Sequence, residues 1–231
     1  MDCNFSLKIE HLTYLYNDKM ILKDINWTLD SGHIYVLLGP NGAGKTTFLN
    51  LLADVLCPTA GDISLSNTDG GVFHEFHEHV GYLTEFPYDY PFLTVVEMIR
   101  LVGNLKRVEP KRLEESMEKW IQYLGLEDYC NQTMESLSQG TKKRVNFIAS
   151  IIHQPKIIFL DEPTNGLDPE QVILFRSILK ELASNGALIL LSTHIMGLAE
   201  KLADYVGIIK DKCLVYTGKN EGALEELYLN A

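Results

Sequence analysis

The chain has 231 residues, 46% hydrophobic and 22% charged, an ordinary globular composition long enough to bury roughly 70% of the surface its unfolded form exposes. Its formal charge is -11 at pH 7, and Lys and Arg are dispersed apart from Lys142, Lys143 and Arg144, which argues against broad phosphate-backbone binding to nucleic acid, since that needs a basic face. Cys3, Cys57, Cys130 and Cys213 are scattered with no CxxC pair, so neither a zinc cluster nor a disulfide framework is expected, and free thiols in a reducing cytosol are the simpler reading.

Residues 5–14 alternate apolar Phe5, Leu7 and Ile9 with polar Ser6, Lys8 and Glu10, and residues 25–29 alternate again. Both stretches read as half-buried strands, an antiparallel β-region opening the fold. No basic segment and long apolar run follow the opening Met-Asp-Cys-Asn-Phe, so no secretory signal is expected. Residues 34–38 are apolar throughout, a buried strand that runs into a glycine-rich turn and a helical stretch over 46–55. Residues 92–150 read helical, over 93–105, over 111–124 with Leu113, Met117, Trp120, Ile121 and Leu124 apolar, and over 142–152. They are expected as an all-helical insertion between two strands of a parallel core. Residues 157–160 and 188–191 are short buried strands with a helix over 171–183 between them, a unit whose polar residues fall at strand C-terminal ends, where open α/β sheets place ligands. Residues 206–209 and 213–217 read as a closing hairpin. No apolar run approaches the ~20 residues of a membrane-spanning helix.

Gly39-Pro40-Asn41-Gly42-Ala43-Gly44-Lys45-Thr46-Thr47 fits GxxxxGK[ST] directly between a strand and a helix. Glycines let backbone N–H groups curl around a phosphate without Cβ clashes, and the helix N-terminus adds its positive dipole. Lys45 is expected to reach the β- and γ-phosphates of a bound nucleotide, and the Thr46 hydroxyl to take a position on Mg²⁺. Further on, Asp161 and Glu162 end an apolar strand, which buried strands do when the charges face a metal or cation. Asp161 suits Mg²⁺, and Glu162 is placed to polarise a water against the γ-phosphate. The alternative is a solvated strand end entering a turn at Pro163.

With these residues in hand, the chain resembles the ATP-binding cassette (ABC) ATPases over nearly its whole length. Leu137-Ser138-Gln139-Gly140 is similar to the family's LSGG-type signature, in the family's place shortly before the Asp-Glu strand. Residues 161–168 resemble its Walker B segment and D-loop, Ser192-Thr193-His194 its switch histidine, and Tyr16 the aromatic that stacks on adenine, with Tyr14 a neighbouring candidate. The resemblance implies head-to-tail pairing, homodimeric or with a paralogue, in which ATP on one copy's phosphate loop meets Ser138 and Gly140 of the other. Asp168 would then sit at the seam and His194 at the γ-phosphate and attacking water. Taken alone, Ser138 could simply cap the helix that follows, and His194 could be a plain strand-end histidine.

One departure concerns Glu85, in Gly81-Tyr82-Leu83-Thr84-Glu85, where the family usually has glutamine. A carboxylate there can approach Mg²⁺ but adds negative charge beside a triphosphate, and it resembles subunits of export-type (ABC-2-like) permeases. His74, His77 and His79 with Glu75 and Glu78 read as a solvated polar loop rather than a metal cluster. The run Lys142-Lys143-Arg144 reads as a solvated helix face.

The expectation is one α/β domain over 1–231, with a P-loop core of parallel sheet and an N-terminal antiparallel β-region from about 1–91 and 151–231. An inserted helical subdomain over about 92–150 carries the signature. The implied protein is a Mg²⁺-dependent ATPase, the ATP-binding subunit of a transporter, cytoplasmic and peripheral on the cytoplasmic face of the membrane. Its partners would be an integral membrane permease and a second ATP-binding subunit, and no nucleic acid. A scaffold or assembly ATPase of the same superfamily, and a module that senses ATP without turnover, are the rivals.

Overall fold

The computed structural model describes residues 5–67, 71–73, 76–87 and 90–230. Strands β1 (Phe5–Tyr16) and β2 (Lys19–Asp30) form an antiparallel hairpin. Its turn, Asn17-Asp18, has φ of 46° and 60°. A two-residue turn between right-twisted strands requires this left-handed pair, and Asn and Asp tolerate it best after glycine. Next come β3 (Ile34–Leu38), α1 (Lys45–Leu52), β4 (Ala60–Asn67), β5 (Val72–Phe73) and β6 (Val80–Leu83). Helices α2 (Val95–Leu105), α3 (Pro110–Tyr123) and α4 (Gln139–Ile151) precede β7 (Ile157–Asp161). The chain closes through α5 (Pro169–Ser184), β8 (Leu188–Thr193), α6 (Met196–Leu202), β9 (Tyr205–Lys210), β10 (Cys213–Lys219) and α7 (Leu224–Asn230).

Among the described residues the strands form two sheets, an antiparallel one in the order β2-β1-β4-β5 and a larger one in the order β10-β9-β3-β8-β7-β6. The larger sheet is parallel apart from β10, which pairs antiparallel with β9. Strands β6 and β7 are direct neighbours, from Val80 opposite Ile157 to Leu83 opposite Leu160, so α2, α3 and α4 enter and leave at one sheet edge. That is the expected α/β fold with an inserted helical region.

The parallel strands read as unbroken apolar runs because both their faces are covered. Ile34, Val36 and Leu38 of β3 point into one core with Ile158, Leu160, Ile189 and Leu191, packed by the inserted helices and α5. Tyr35 and Leu37 point into the other with Ile157, Phe159, Leu188 and Leu190, covered by α1 and the antiparallel sheet. Two-residue periodicity thus sorts one strand's side chains between two cores.

Helix starts follow from local chemistry. Thr94 and Glu97 form a reciprocal capping box on α2, Pro110 opens α3, and Asp168 caps α5 with Pro169 as its first residue. Ser138 Oγ accepts from Thr141 N at 3.2 Å, so α4 begins at Gln139, earlier than the apolar spacing from 142 suggests. The sequence reading missed β4, β5, α6 and α7. In β4 only Ser64 and Leu65 are buried, and α6 and α7 have seven residues each, too few for a helical period to stand out.

Candidate active site

Three neighbouring strands, β3, β8 and β7, deliver their C-terminal ends to one edge of the sheet. Leu38 pairs with Thr193 and Asp161 with Ser192, so the phosphate loop, His194 and the two acidic residues emerge side by side. They border a cleft of about 470 Å³ lined by Asn41, Gly42, Gly44, Lys45, Thr46, Thr47, Glu85, Asp161, Glu162 and His194, joined by Ile21 and Asn165. That volume lies within the usual range of small-molecule sites.

Gly44 has φ of 103°, and a Cβ there would stand 2.8 Å from Leu22 Cδ2, so glycine alone fits before α1. It offers no side-chain cap, which leaves the first-turn N–H groups of α1 to an anion. Lys45 is 7% exposed, its Nζ donating to Gly39 O at 2.9 Å and Pro40 O at 3.3 Å. The same ammonium lies 3.9 Å from Glu162 Oε1.

Asp161 and Glu162 are both buried and are held from β8. Ser192 Oγ donates to Asp161 Oδ1 at 2.5 Å and accepts from Glu162 N at 3.1 Å. Glu162 has φ of 44°, a left-handed conformation that costs a non-glycine residue about 1–3 kcal/mol and persists where the surroundings over-determine it. His194 Nδ1 bonds Glu162 Oε1 at 3.0 Å. A carboxylate oxygen accepts, so Nδ1 donates and Nε2 is left for another group. Asp161 Oδ2 and Glu162 Oε2 are buried without a hydrogen-bond partner among the described residues. Buried orphan oxygens are costly, and an apolar strand that ends in two of them is shaped for a cation and a water.

The oxygen donors Thr46, Asp161 and Glu85 on this cleft suit a hard divalent cation. No three or more His, Cys, Asp or Glu among the described residues gather as a ready-made metal site. A cation here would draw on the Thr46 hydroxyl and on ligand oxygens as well.

The remaining site candidates lie elsewhere. Tyr16 is 61% exposed on the β1–β2 hairpin, outside the cleft lining, as are Gly39, Pro40 and Ala43. Ser138, Gln139 and Gly140 form the N-terminus of α4, with Leu137 buried behind them, and none of the four lines the cleft of its own chain. Asp168 is exposed, with Oδ1 accepting from Gln171 N at 2.8 Å. His74 and Glu75 lie outside the described residues, and His79 ends a short 3-10 turn, His77–His79.

The solvated face expected of Lys142, Lys143 and Arg144 needs correction. Lys143 is 7% exposed, and its Nζ donates to Glu162 O at 2.8 Å and Asn165 O at 3.1 Å. Burial holds its pKa below the usual lysine value, against the opposing pull of Glu85, Glu162 and Asp161. Arg144 Nη1 donates to Leu124 O at 2.7 Å. The signal was the spacing of Lys143, Phe147 and Ile151, which puts Lys143 on the buried face of α4. Ser192 carried a fainter signal, a hydroxyl at the end of an apolar strand.

A family model described as ABC transporter matches residues 22–165. The chain is 36% identical over 93% of its length to an uncharacterized ABC transporter ATP-binding protein of Methanocaldococcus jannaschii, covering 78% of that protein. It is 31% identical over 97% of its length to a lantibiotic transport ATP-binding protein of Streptococcus pyogenes, covering 96% of it. A solved ATP-binding subunit of an ABC transporter superposes with a TM-score of 0.89 at 26% identity, over 97% of this chain and 98% of that one.

Proposed function

This chain belongs to the ABC transporter family and is an ATP-binding, ATP-hydrolysing subunit, and from that premise we propose that turnover takes place in the cleft of Lys45, Asp161, Glu162 and His194. The observation carrying this reading is the pair of buried carboxylates, each with one orphaned oxygen, in the same cleft as a buried lysine and an uncapped helix N-terminus. Lys45 and the N–H groups of the phosphate loop hold the β- and γ-phosphate oxygens. Glu162 takes a proton from a water whose oxygen attacks the γ-phosphorus. The bond from that phosphorus to the bridging oxygen breaks, its electron pair stays with ADP, and phosphate leaves. His194, oriented by Glu162 through Nδ1, turns Nε2 to the γ-phosphate. Thr46, Asp161 and Glu85 would hold magnesium, which would neutralise phosphate charge when bound. Tyr16, exposed on its hairpin, stacks on adenine.

A second subunit completes the site. The exposed N-terminus of α4 offers Ser138 and Gly140 to the γ-phosphate of a partner's ATP, while exposed Asp168 lies at the seam. Residues 92–150 act as the helical subdomain that carries this surface and answers to the permease. Phe86 and Phe92, each 81% exposed, and Tyr90, 56% exposed, follow Glu85 closely in the chain and suit a membrane-protein contact. No helix among the described residues is long and apolar enough to cross a membrane. The subunit then sits peripherally on the cytoplasmic face, and Glu85 fits an export-type permease.

Tagged Glu162→Gln protein, expressed in the native host and extracted in mild detergent with ATP and Mg²⁺, tests this reading. A multi-spanning membrane protein in near-stoichiometric amount is expected. Recovery of soluble partners alone would overturn the transporter reading in favour of an assembly ATPase.

A further inference from the structure

Lys143 lies outside the cleft lining, and the reaction set out above does not use it. It belongs to α4, the helix whose N-terminus carries Ser138 and Gly140, and it reaches across to the turn after β7. Glu162, the strained residue of that turn, is held at both ends of its backbone, its N–H by Ser192 Oγ at 3.1 Å and its carbonyl by Lys143 Nζ at 2.8 Å. Asn165 closes the turn, donating N–H to Glu162 O at 3.2 Å while its own carbonyl takes Lys143 at 3.1 Å. The helix lies so near that a Cβ on Gly140 would stand 2.9 Å from Gly166 O.

We infer that Lys143 is a positioning residue, whose ammonium fixes the turn of residues 162–165 and so aims the Glu162 carboxylate, coupling the seat of α4 to the general base within one subunit. This rests on the reading of Glu162 as that base. An ammonium has three donors and no acceptor, so it can hold two carbonyls at once. The negative charges of Glu85, Glu162 and Asp161 attract it as well. Both carbonyls belong to the turn and the donor belongs to α4, so a shift of α4 against the sheet loosens the backbone that points the carboxylate at water. This contact lies inside the chain, whereas Ser138 and Gln139 at the start of the helix are exposed.

Steady-state kinetics of Lys143→Met, Lys143→Arg and Lys143→Gln, beside Glu162→Gln, test the inference. Lys143→Met removes the donors, and kcat is expected to fall by on the order of a hundredfold, as a small misplacement of a reacting group does, with KM for ATP held within about threefold. Lys143→Arg, which keeps charge and donors, recovers most of the rate, and ATP-analogue binding is parental in all three. Parental kcat in Lys143→Met, or a loss that appears in KM instead, overturns the inference. So does a rate that Lys143→Arg leaves as low as Lys143→Met does. Should Lys143→Met fail to fold, the same readings apply to Lys143→Gln. Glu162→Gln separates the two readings: if it keeps turnover, the base assignment fails and carries this inference with it. If it is inactive while Lys143→Met runs at the parental rate, only the role of Lys143 fails.

Discussion

Ser192 Oγ donates to Asp161 Oδ1 at 2.5 Å across neighbouring parallel strands. The same oxygen accepts the Glu162 N–H, so one hydroxyl on β8 fixes both acidic residues at the end of β7. Ser192→Ala leaves a buried carboxylate oxygen and a buried N–H without their partner, at a cost of about 1–3 kcal/mol. The expected result is a lower urea midpoint together with a lower kcat. An unchanged midpoint would show that the hydroxyl is not needed to hold these groups.

Glu162→Gln keeps the size of the side chain and removes its capacity to take a proton. Turnover should drop by at least about a hundredfold, the usual contribution of a general base. Affinity for a fluorescent ATP analogue should be retained. Release of phosphate at the parental rate would remove Glu162 from the mechanism.

Lys45→Met deletes the buried ammonium whose donors now rest on Gly39 and Pro40 carbonyls. A charged hydrogen bond is worth about 1.5–3 kcal/mol, so ATP affinity by calorimetry should weaken on the order of tenfold to a hundredfold. Binding of adenosine, which lacks phosphates, should be equally weak in parent and variant, and a selective loss there would contradict the assignment.

His153 follows α4, its Nε2 on Val80 O at the start of β6 at 3.1 Å and its pKa pushed down to about 4 by burial, aided by the nearby Lys106 charge. The unfolded chain takes up this proton near pH 6.5, the folded chain only near pH 4, so stability contributed by this residue is present above 6.5 and is lost as pH falls through that window. Between pH 7 and 5 the loss is on the order of 1 kcal/mol once solvent access is allowed for. Urea titrations at both pH values check this, and His153→Gln should flatten the difference. An equal slope in the variant would assign the acid sensitivity to other groups.

Much of this architecture was legible in the sequence because local rules and tertiary packing agree. The apolar runs of β3, β7 and β8 are what strands buried on both faces must be, and the loop of residues 39–47 carries its own chemistry at fixed spacing. Lys143 was misread because a cation in a run of three suggests solvent, whereas only three-dimensional packing shows two backbone carbonyls awaiting it. Ser192 was visible as part of a motif, but its double contact depends on the pairing of β7 with β8, which composition does not specify. Strand β4 escaped notice because its alternation is short, Ile63 and Leu65 alone between Asp62, Ser64 and Ser66.

The sorting of β7 between two cores has a consequence for how this segment can change over evolutionary time. Ile157 and Phe159 face one side while Ile158 and Leu160 face the other, so exchanging one aliphatic for another preserves the arrangement. Deleting a single residue from the strand does not, because every side chain beyond the gap changes sides, and Asp161 with it. The strand therefore tolerates substitution far better than a change of length. Insertions and deletions in relatives should fall in the loops around β7, with the residue count from Ile157 to Glu162 held constant.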